Sequence, residues 1–185
     1  MTAIRTCGCC GPNVIENLGH ILQGCPRTHG PRIRRHDRIL ILAAEMWRRK
    51  GFCVEMELRI PTSIGLRKPD LLVYKPGQEA WVIDATVVSD KFTDLDIPHR
   101  QKMKYYDLPE IIAVAECKAG VAPSFSSITL NWRGIYSPGS ARDLRLLQLT
   151  TADLRFLAAV CVEQGVIIHR LHQKSTVAIG SHSEI

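Results

Sequence analysis

No stretch of this 185-residue chain approaches the roughly eighteen consecutive apolar residues that a membrane-spanning helix requires. The first residues carry cysteine, glycine and proline where a cleaved export signal would carry an apolar segment. Internal repeats and low-complexity tracts are absent, and the length leaves no room for a second large domain beside an ordinary one. An even set of cysteines is missing too. There are seven, three of them crowded into Cys7-Gly8-Cys9-Cys10, which describes a disulfide framework poorly and metal binding in a reducing compartment well. The expected setting is intracellular, with no membrane partner.

Acidic residues are scarce at the front of the chain. Residues 1–50 hold nine Lys or Arg against three Asp or Glu, whereas residues 51–185 hold fifteen of each, so the whole net charge of +6 belongs to the front. Arg27, Arg32, Arg34, Arg35 and Arg38 follow one another closely, and Arg48-Arg49-Lys50 closes the region. Forked guanidinium donors suit phosphate oxygens, and such a cluster matches a nucleic-acid backbone. A solvated helix surface or an acidic protein partner uses the same chemistry, so charge alone does not name the ligand.

Within that basic front, two residues separate Cys7 from Cys10, nine more lead to His20, and four more to Cys25. Two thiolates from a tight turn, joined by an imidazole and a third thiolate, can surround zinc tetrahedrally, and this donor set favours zinc over magnesium. Cys9 reads as a spare thiol. His29 and His36 are alternatives to His20 with less compact spacing, and simple burial or oxidation of the cysteines is the alternative to metal binding.

Two acids stand at the ends of hydrophobic runs. Asp70 precedes Leu71-Leu72-Val73-Tyr74, and Asp84 follows Trp81-Val82-Ile83, with Lys75-Pro76-Gly77-Gln78 between the runs. The pattern predicts strand, tight turn, strand, a hairpin that brings two carboxylates to one side of a sheet, where they suit a divalent cation and the phosphate it binds. The alternative is that one acid caps a turn and the other faces solvent.

Around this hairpin the periodicity predicts a helix from Ile33 or Arg34 to about Lys50, set off from the cysteine segment by Pro26, Gly30 and Pro31. A first strand is expected over Cys53–Ile60, and a loop at Pro61–Gly65. After the hairpin come a helix entered near Pro98, on which Lys102 and Tyr106 share a face, and a second helix from Pro109 to about Lys118. A late strand is expected over Ile128–Tyr136 after a boundary at Pro123 and its serines, then a turn at Ser137–Ser140, then helices, the last capped by Thr151. This order is α/β: a mixed sheet flanked by helices, with a small N-terminal metal module.

Taken together, Cys7-Gly8-Cys9-Cys10-Gly11, His20 through Cys25 to His29, Arg35-His36-Asp37, Gly65 through Lys68-Pro69-Asp70-Leu71, Val82-Ile83-Asp84, His99 through Lys102 to Tyr106-Asp107, and Trp132-Arg133-Gly134 resemble the restriction-like endonuclease domain of site-specific non-LTR retrotransposon proteins, within the PD-(D/E)xK superfamily. The resemblance covers nearly all the chain. It implies a restriction-endonuclease-like αβββαβ core over residues 31–175 with a CCHC zinc knuckle over 1–30, C-terminal helices, and a disordered tail over 176–185.

It further implies Mg2+ or Mn2+ held by Asp70, Asp84 and the backbone carbonyl of Ala85, and Zn2+ held by Cys7, Cys10, His20 and Cys25. The lysine that usually stands two residues after the second acid is replaced by Thr86. Lys102, on the following helix, matches the relocated position in the retrotransposon proteins, and Lys104 is a less favoured substitute. Arg32, Arg34, Arg35, Arg38, Lys68, Lys104 and Tyr106 are expected to contact nucleic acid, and His36 and Asp37 to orient the first helix. The implied activity is nicking or cutting of double-stranded or branched DNA in the nucleus, for priming by a reverse transcriptase, with element RNA as a further partner. No reverse transcriptase fits in this length, so the chain is expected to be an excised domain, a remnant, or the product of a truncated element. A binding domain that has lost cleavage is the alternative.

Overall fold

The computed structural model describes residues 6–11, 13–91 and 93–180. Two short turns, His20–Gly24 and Pro26–Thr28, lead into the long helix α1 (His29–Arg49). This helix begins earlier than the Ile33 expected from periodicity. Gly30 and Pro31 do not break it, because Pro31 falls in the first turn, where a backbone N–H has no intrahelical acceptor to lose. Ile39, Ala43 and Trp47 form its fully buried stripe. The Trp47 indole donates to the Leu147 carbonyl at 2.9 Å, giving the buried N–H its partner.

The first strand is shorter than its apolar alternation suggests. Strand β1 (Cys53–Met56) stops at Glu57, whose φ of 55° lies in the left-handed region, costly for any residue with a Cβ. The segment read as a loop instead forms a small ribbon of β2 (Ile60–Thr62) and β3 (Gly65–Arg67), paired antiparallel and separate from the main sheet.

Strands β4 (Leu71–Lys75) and β5 (Glu79–Val88) form the expected hairpin, registered from Lys75 opposite Glu79 to Leu71 opposite Ile83. Helix α2 (Asp96–Tyr106) and helix α3 (Pro109–Ala119) follow, then strand β6 (Ser124–Asn131), which runs parallel to β5. The serines after Pro123 lie inside this strand and are not a boundary. Ser126, Ser127 and Thr129 are buried; their hydroxyls bond to one another or to Asp143 and His99, and the Thr129 N–H donates to the Ser140 hydroxyl, so a polar run tolerates the interior.

The four-stranded sheet has the order β1-β4-β5-β6, antiparallel except for the last pair, and is therefore mixed. With the ribbon set aside, helix, three strands, helices and strand follow one another in an order compatible with αβββαβ. Successive strand residues face opposite sides. Leu71, Val73, Ile83, Ile128 and Leu130 pack with α1 and the C-terminal helices, while Leu72 and Val82 pack with Tyr106, Ile111 and Ala115 of α2 and α3.

Ser137 begins helix α4 (Pro138–Leu146): its hydroxyl caps the Ser140 N–H at 3.1 Å, so Ser137–Ser140 is a helix start and not an exit turn. Helix α5 (Thr151–Gly180) is capped one residue before the expected Thr151, by Thr150 and Asp153 bonding each other's backbone N–H. It extends five residues into the segment read as a tail, whose last residues, 181–185, lie outside those described. Among the described residues no helix is long and apolar enough to cross a membrane.

Candidate metal and nucleic-acid site

The register of the hairpin positions the two acids. The last β4–β5 pair is Leu71 with Ile83, so the next step along both strands sets Asp70 beside Asp84, just where β4 ends. Beyond that point, among the described residues, β5 has a strand neighbour only in β6, whose pairing runs on to Val88 and Asn131.

The two carboxylates have different environments. Asp70 Oδ2 accepts the Ala85 N–H at 2.7 Å and the His36 Nε2–H at 3.2 Å, with Asp37 on the other side of the imidazole at 3.1 Å. The Asp70 contact lifts His36 to about 9 against the opposing effect of burial, with Asp37 assisting, so the ring is a cation at neutral pH. Asp84 is 4 % exposed. Burial raises its pKa, the Asp70 charge adds to the rise, and Lys102 and Tyr106 oppose it. The Tyr106 hydroxyl donates to Asp84 Oδ1 at 2.7 Å and stands 3.1 Å from the Lys68 carbonyl oxygen.

Lys102 reaches the site from α2. Its Nζ stands 2.7 Å from Asp84 Oδ2. Asp84 Oδ2 is thus a buried carboxylate oxygen that faces this ammonium group. Two carboxylates, one with such an oxygen, beside a backbone carbonyl at Ala85 form a hard oxygen donor set that fits Mg2+ or Mn2+.

Two clefts meet over Thr86. One, of about 440 Å³, is lined by Arg32, Arg35, His36, Asp37 and Ala85. The other, of about 480 Å³, is lined by Val88, Gln101, Lys102, Tyr105 and Tyr106. Lys104 lies away from both. It lines a third cleft with Trp81, Arg100, Phe125 and Arg142.

The structure divides the remaining expected contact residues. Arg34 and Arg38 are exposed. Arg32 is half-buried and donates to the Gln23 carbonyl. Arg35, expected at the surface, is instead 2 % exposed, with Nη2 donating to the Leu22 carbonyl at 3.2 Å. Lys68 is exposed and paired with Glu57 at 2.9 Å. Tyr106 is buried with its hydroxyl on Asp84, so it holds the acid, while it also lines the cleft of Lys102 and Tyr105. Its neighbour Tyr105, not singled out in the sequence, is exposed, with the Arg67 guanidinium 4.3 Å from its ring centre. The Lys-Tyr-Tyr run at 104–106 was the available signal.

Cys7, Cys10, His20 and Cys25 place their ligand atoms within 4.8 Å of one another. Cys7 Sγ is 3.9 Å and Cys10 Sγ 4.0 Å from Cys25 Sγ, and none of the three forms a disulfide. His20 Nε2 is buried without a hydrogen-bond partner among the described residues. Three thiols and an unspent imidazole nitrogen fit zinc. Burial pushes the Cys7 thiol up, but hydrogen bonds led by that from His172 bring it down to about 6. Cys9 is exposed and apart. The Gln23 amide, inside the same segment, donates to the Val88 carbonyl at 3.3 Å and ties the cluster to the strand that carries Asp84.

No protein-family model matches the sequence. The chain is similar to the Retrovirus-related Pol polyprotein from type-1 retrotransposable element R2 of Nasonia vitripennis, 39 % identical over 142 residues, covering 75 % of this chain and 13 % of that protein. A Popillia japonica polyprotein of the same description is 34 % identical over 162 residues, covering 86 % of this chain and 33 % of the relative. The polyprotein from type-2 retrotransposable element R2DM of Drosophila melanogaster is 34 % identical over 139 residues, 74 % of this chain and 13 % of its own length. The chain thus spans between about an eighth and a third of these relatives.

Proposed function

We propose that this chain, whose homologues are R2 retrotransposon Pol polyproteins and whose origin is by that similarity retrotransposon-related, is a metal-dependent DNA endonuclease that hydrolyses a phosphodiester of double-stranded or branched target DNA. The observation that carries the reading is the convergence of Asp70, Asp84 and Lys102 at one end of the sheet, with Lys102 Nζ 2.7 Å from the second acid. In this reading the cut supplies a 3′ hydroxyl for reverse transcription by another part of a longer protein, in the nucleus, and element RNA is a further ligand.

Asp70, Asp84 and the Ala85 carbonyl would hold Mg2+ or Mn2+, which when bound lowers the pKa of a water and stabilises charge on the phosphoryl oxygens. The protein's own groups do the rest. Lys102 offers an ammonium to the charge that grows on the phosphate or to the attacking water. Tyr106 fixes the Asp84 carboxylate, and cationic His36 fixes Asp70 from α1. Arg34 and Arg38 add exposed positive charge on α1, the helix whose Arg32 and His36 line one cleft, and Tyr105 offers a stacking face in the other. Zinc at Cys7, Cys10, His20 and Cys25 has a structural role, since four protein ligands leave no open position.

Thr86, in place of the usual lysine, supports a second reading, a nucleic-acid binding domain without cleavage. Supercoiled, linear, nicked and four-way DNA incubated with Mg2+ or Ca2+ separates the two. Nicking is expected with Mg2+ and not with Ca2+, and Asp70→Ala and Asp84→Ala are expected to abolish it. Undiminished cutting by either variant sinks the metal-site reading, and salt-sensitive binding without nicking by the wild type favours the second.

A further inference from the structure

The cysteine cluster has a neighbour from the far end of the chain. His172 of α5 is 1 % exposed, and its Nε2 stands 3.9 Å from Cys7 Sγ and 4.0 Å from Glu16 Oε2. The donor atoms of Cys7, Glu16 and His172 all lie within 4.8 Å of one another. We infer that His172 completes the zinc centre without binding the metal, by donating its Nε2–H to the Cys7 thiolate, so that metal loading fastens the C-terminal helix to the N-terminal knuckle. This rests on the zinc reading above.

The charge of the centre calls for such a donor. Three thiolates and a neutral imidazole around Zn2+ leave a net charge of −1 in a site where Cys7 and Cys25 are fully buried. A buried anion needs hydrogen-bond donors, and those aimed at coordinating sulfur tune the strength with which it holds the metal. His172 supplies one from a side chain that solvent does not reach.

The face of α5 is built for this contact. Cys161, Gly165, Ile168 and His172 recur at steps of three and four and form one stripe. Ile168 packs against Ile21 and Leu22, between His20 and Cys25, and an atom added at Gly165 would stand 4.0 Å from Leu22 Cδ1. The helix therefore lies on the knuckle along the stripe that ends at His172. His20, and not His172, belongs to the set whose four ligand atoms are mutually close.

The test uses the whole chain, with zinc itself as the probe. One equivalent of zinc is expected, and substitution by Co2+ should give thiolate-to-metal charge-transfer absorption. His172→Leu should bind zinc about tenfold to a hundredfold more weakly in competition with a chromophoric chelator. His172→Gln, which keeps an N–H donor, should recover part of the loss. Circular dichroism of the chelated wild type and chelated His172→Leu should coincide, which assigns the difference to the metal-loaded state. In the wild type alone, chelation should speed amide exchange in α5 around Ile168 and His172, a readout that needs no variant.

Unchanged affinity in His172→Leu, or unchanged exchange in α5 on chelation, overturns the inference and leaves the zinc reading standing. A second equivalent of zinc that is lost in Glu16→Gln also overturns it, because His172 would then be a ligand. A wild-type chain that takes up no zinc overturns both.

Discussion

Lys102 stands 2.7 Å from Asp84 although Thr86 occupies the position on β5 two residues beyond that acid. The helix α2 delivers the ammonium group, and it delivers only one: Lys104 lies in a different cleft with Trp81 and Arg142.

Replacing Lys102 with Ala should therefore lower the rate of Mg2+-dependent plasmid nicking by about 10²–10³-fold, the usual cost of losing one charge-stabilising group. Lys104→Ala should stay within a few-fold of wild type in the same assay. A dead Lys104→Ala with an active Lys102→Ala would reverse the assignment.

Asp84 is a site of opposed demands. Its carboxylate is buried beside that of Asp70, so a neutral isostere relieves both desolvation and like-charge repulsion. In metal-free buffer at pH 7, Asp84→Asn should melt at a higher temperature than wild type while losing nicking. A lower melting temperature would mean that the Lys102 and Tyr106 contacts outweigh the burial.

Arg35 should behave unlike the other arginines of α1. Arg35→Ala leaves the Leu22 carbonyl without its donor in a buried place, at an expected cost of about 1–3 kcal/mol in urea unfolding. Its effect on the salt dependence of DNA binding should be small. Arg34→Ala and Arg38→Ala should each lower the slope of log K against log salt by about one and leave unfolding unchanged.

His99 should make the fold acid-sensitive. Its ring is buried, with Nδ1 bonded to Ser127 Oγ at 2.7 Å and Nε2 3.4 Å from Asp143 Oδ2. Burial lowers its pKa from the ordinary value of 6.5, with Arg142 acting in the same direction and Asp143 and Asp96 opposing. The unfolded chain then takes up a proton more readily than the folded one. Stability is therefore full above the unfolded value and declines as pH falls from about 6.5 toward the depressed folded value. Thermal melts across pH 5–8 should show this decline, and His99→Gln should flatten it. Gly139→Ala should disturb the same ring, because a Cβ there would stand 2.9 Å from His99 Cδ2.

The hairpin of Asp70 and Asp84 and the spacing of Cys7, Cys10, His20 and Cys25 were legible because each depends on local pattern. Alternation sets the strand faces, and a short loop sets the register. What escaped depends on partners far along the chain. The Ser126, Ser127 and Thr129 run does not look like a strand until His99 and Asp143 are beside it. The burial of Arg35 follows from the position of the Leu22 carbonyl, and the hold of His36 on Asp70 crosses thirty-four residues. The early stop of β1 hangs on a left-handed backbone at Glu57, a conformation that no composition rule assigns to glutamate.

Thr86 and Lys102 line the same cleft, although sixteen residues separate them in the chain. An ammonium attached to either wall would occupy a shared volume. Under the proposed endonuclease reading, the demand for a cation falls on that volume and not on position 86 of β5, and α2 meets it from the opposite wall.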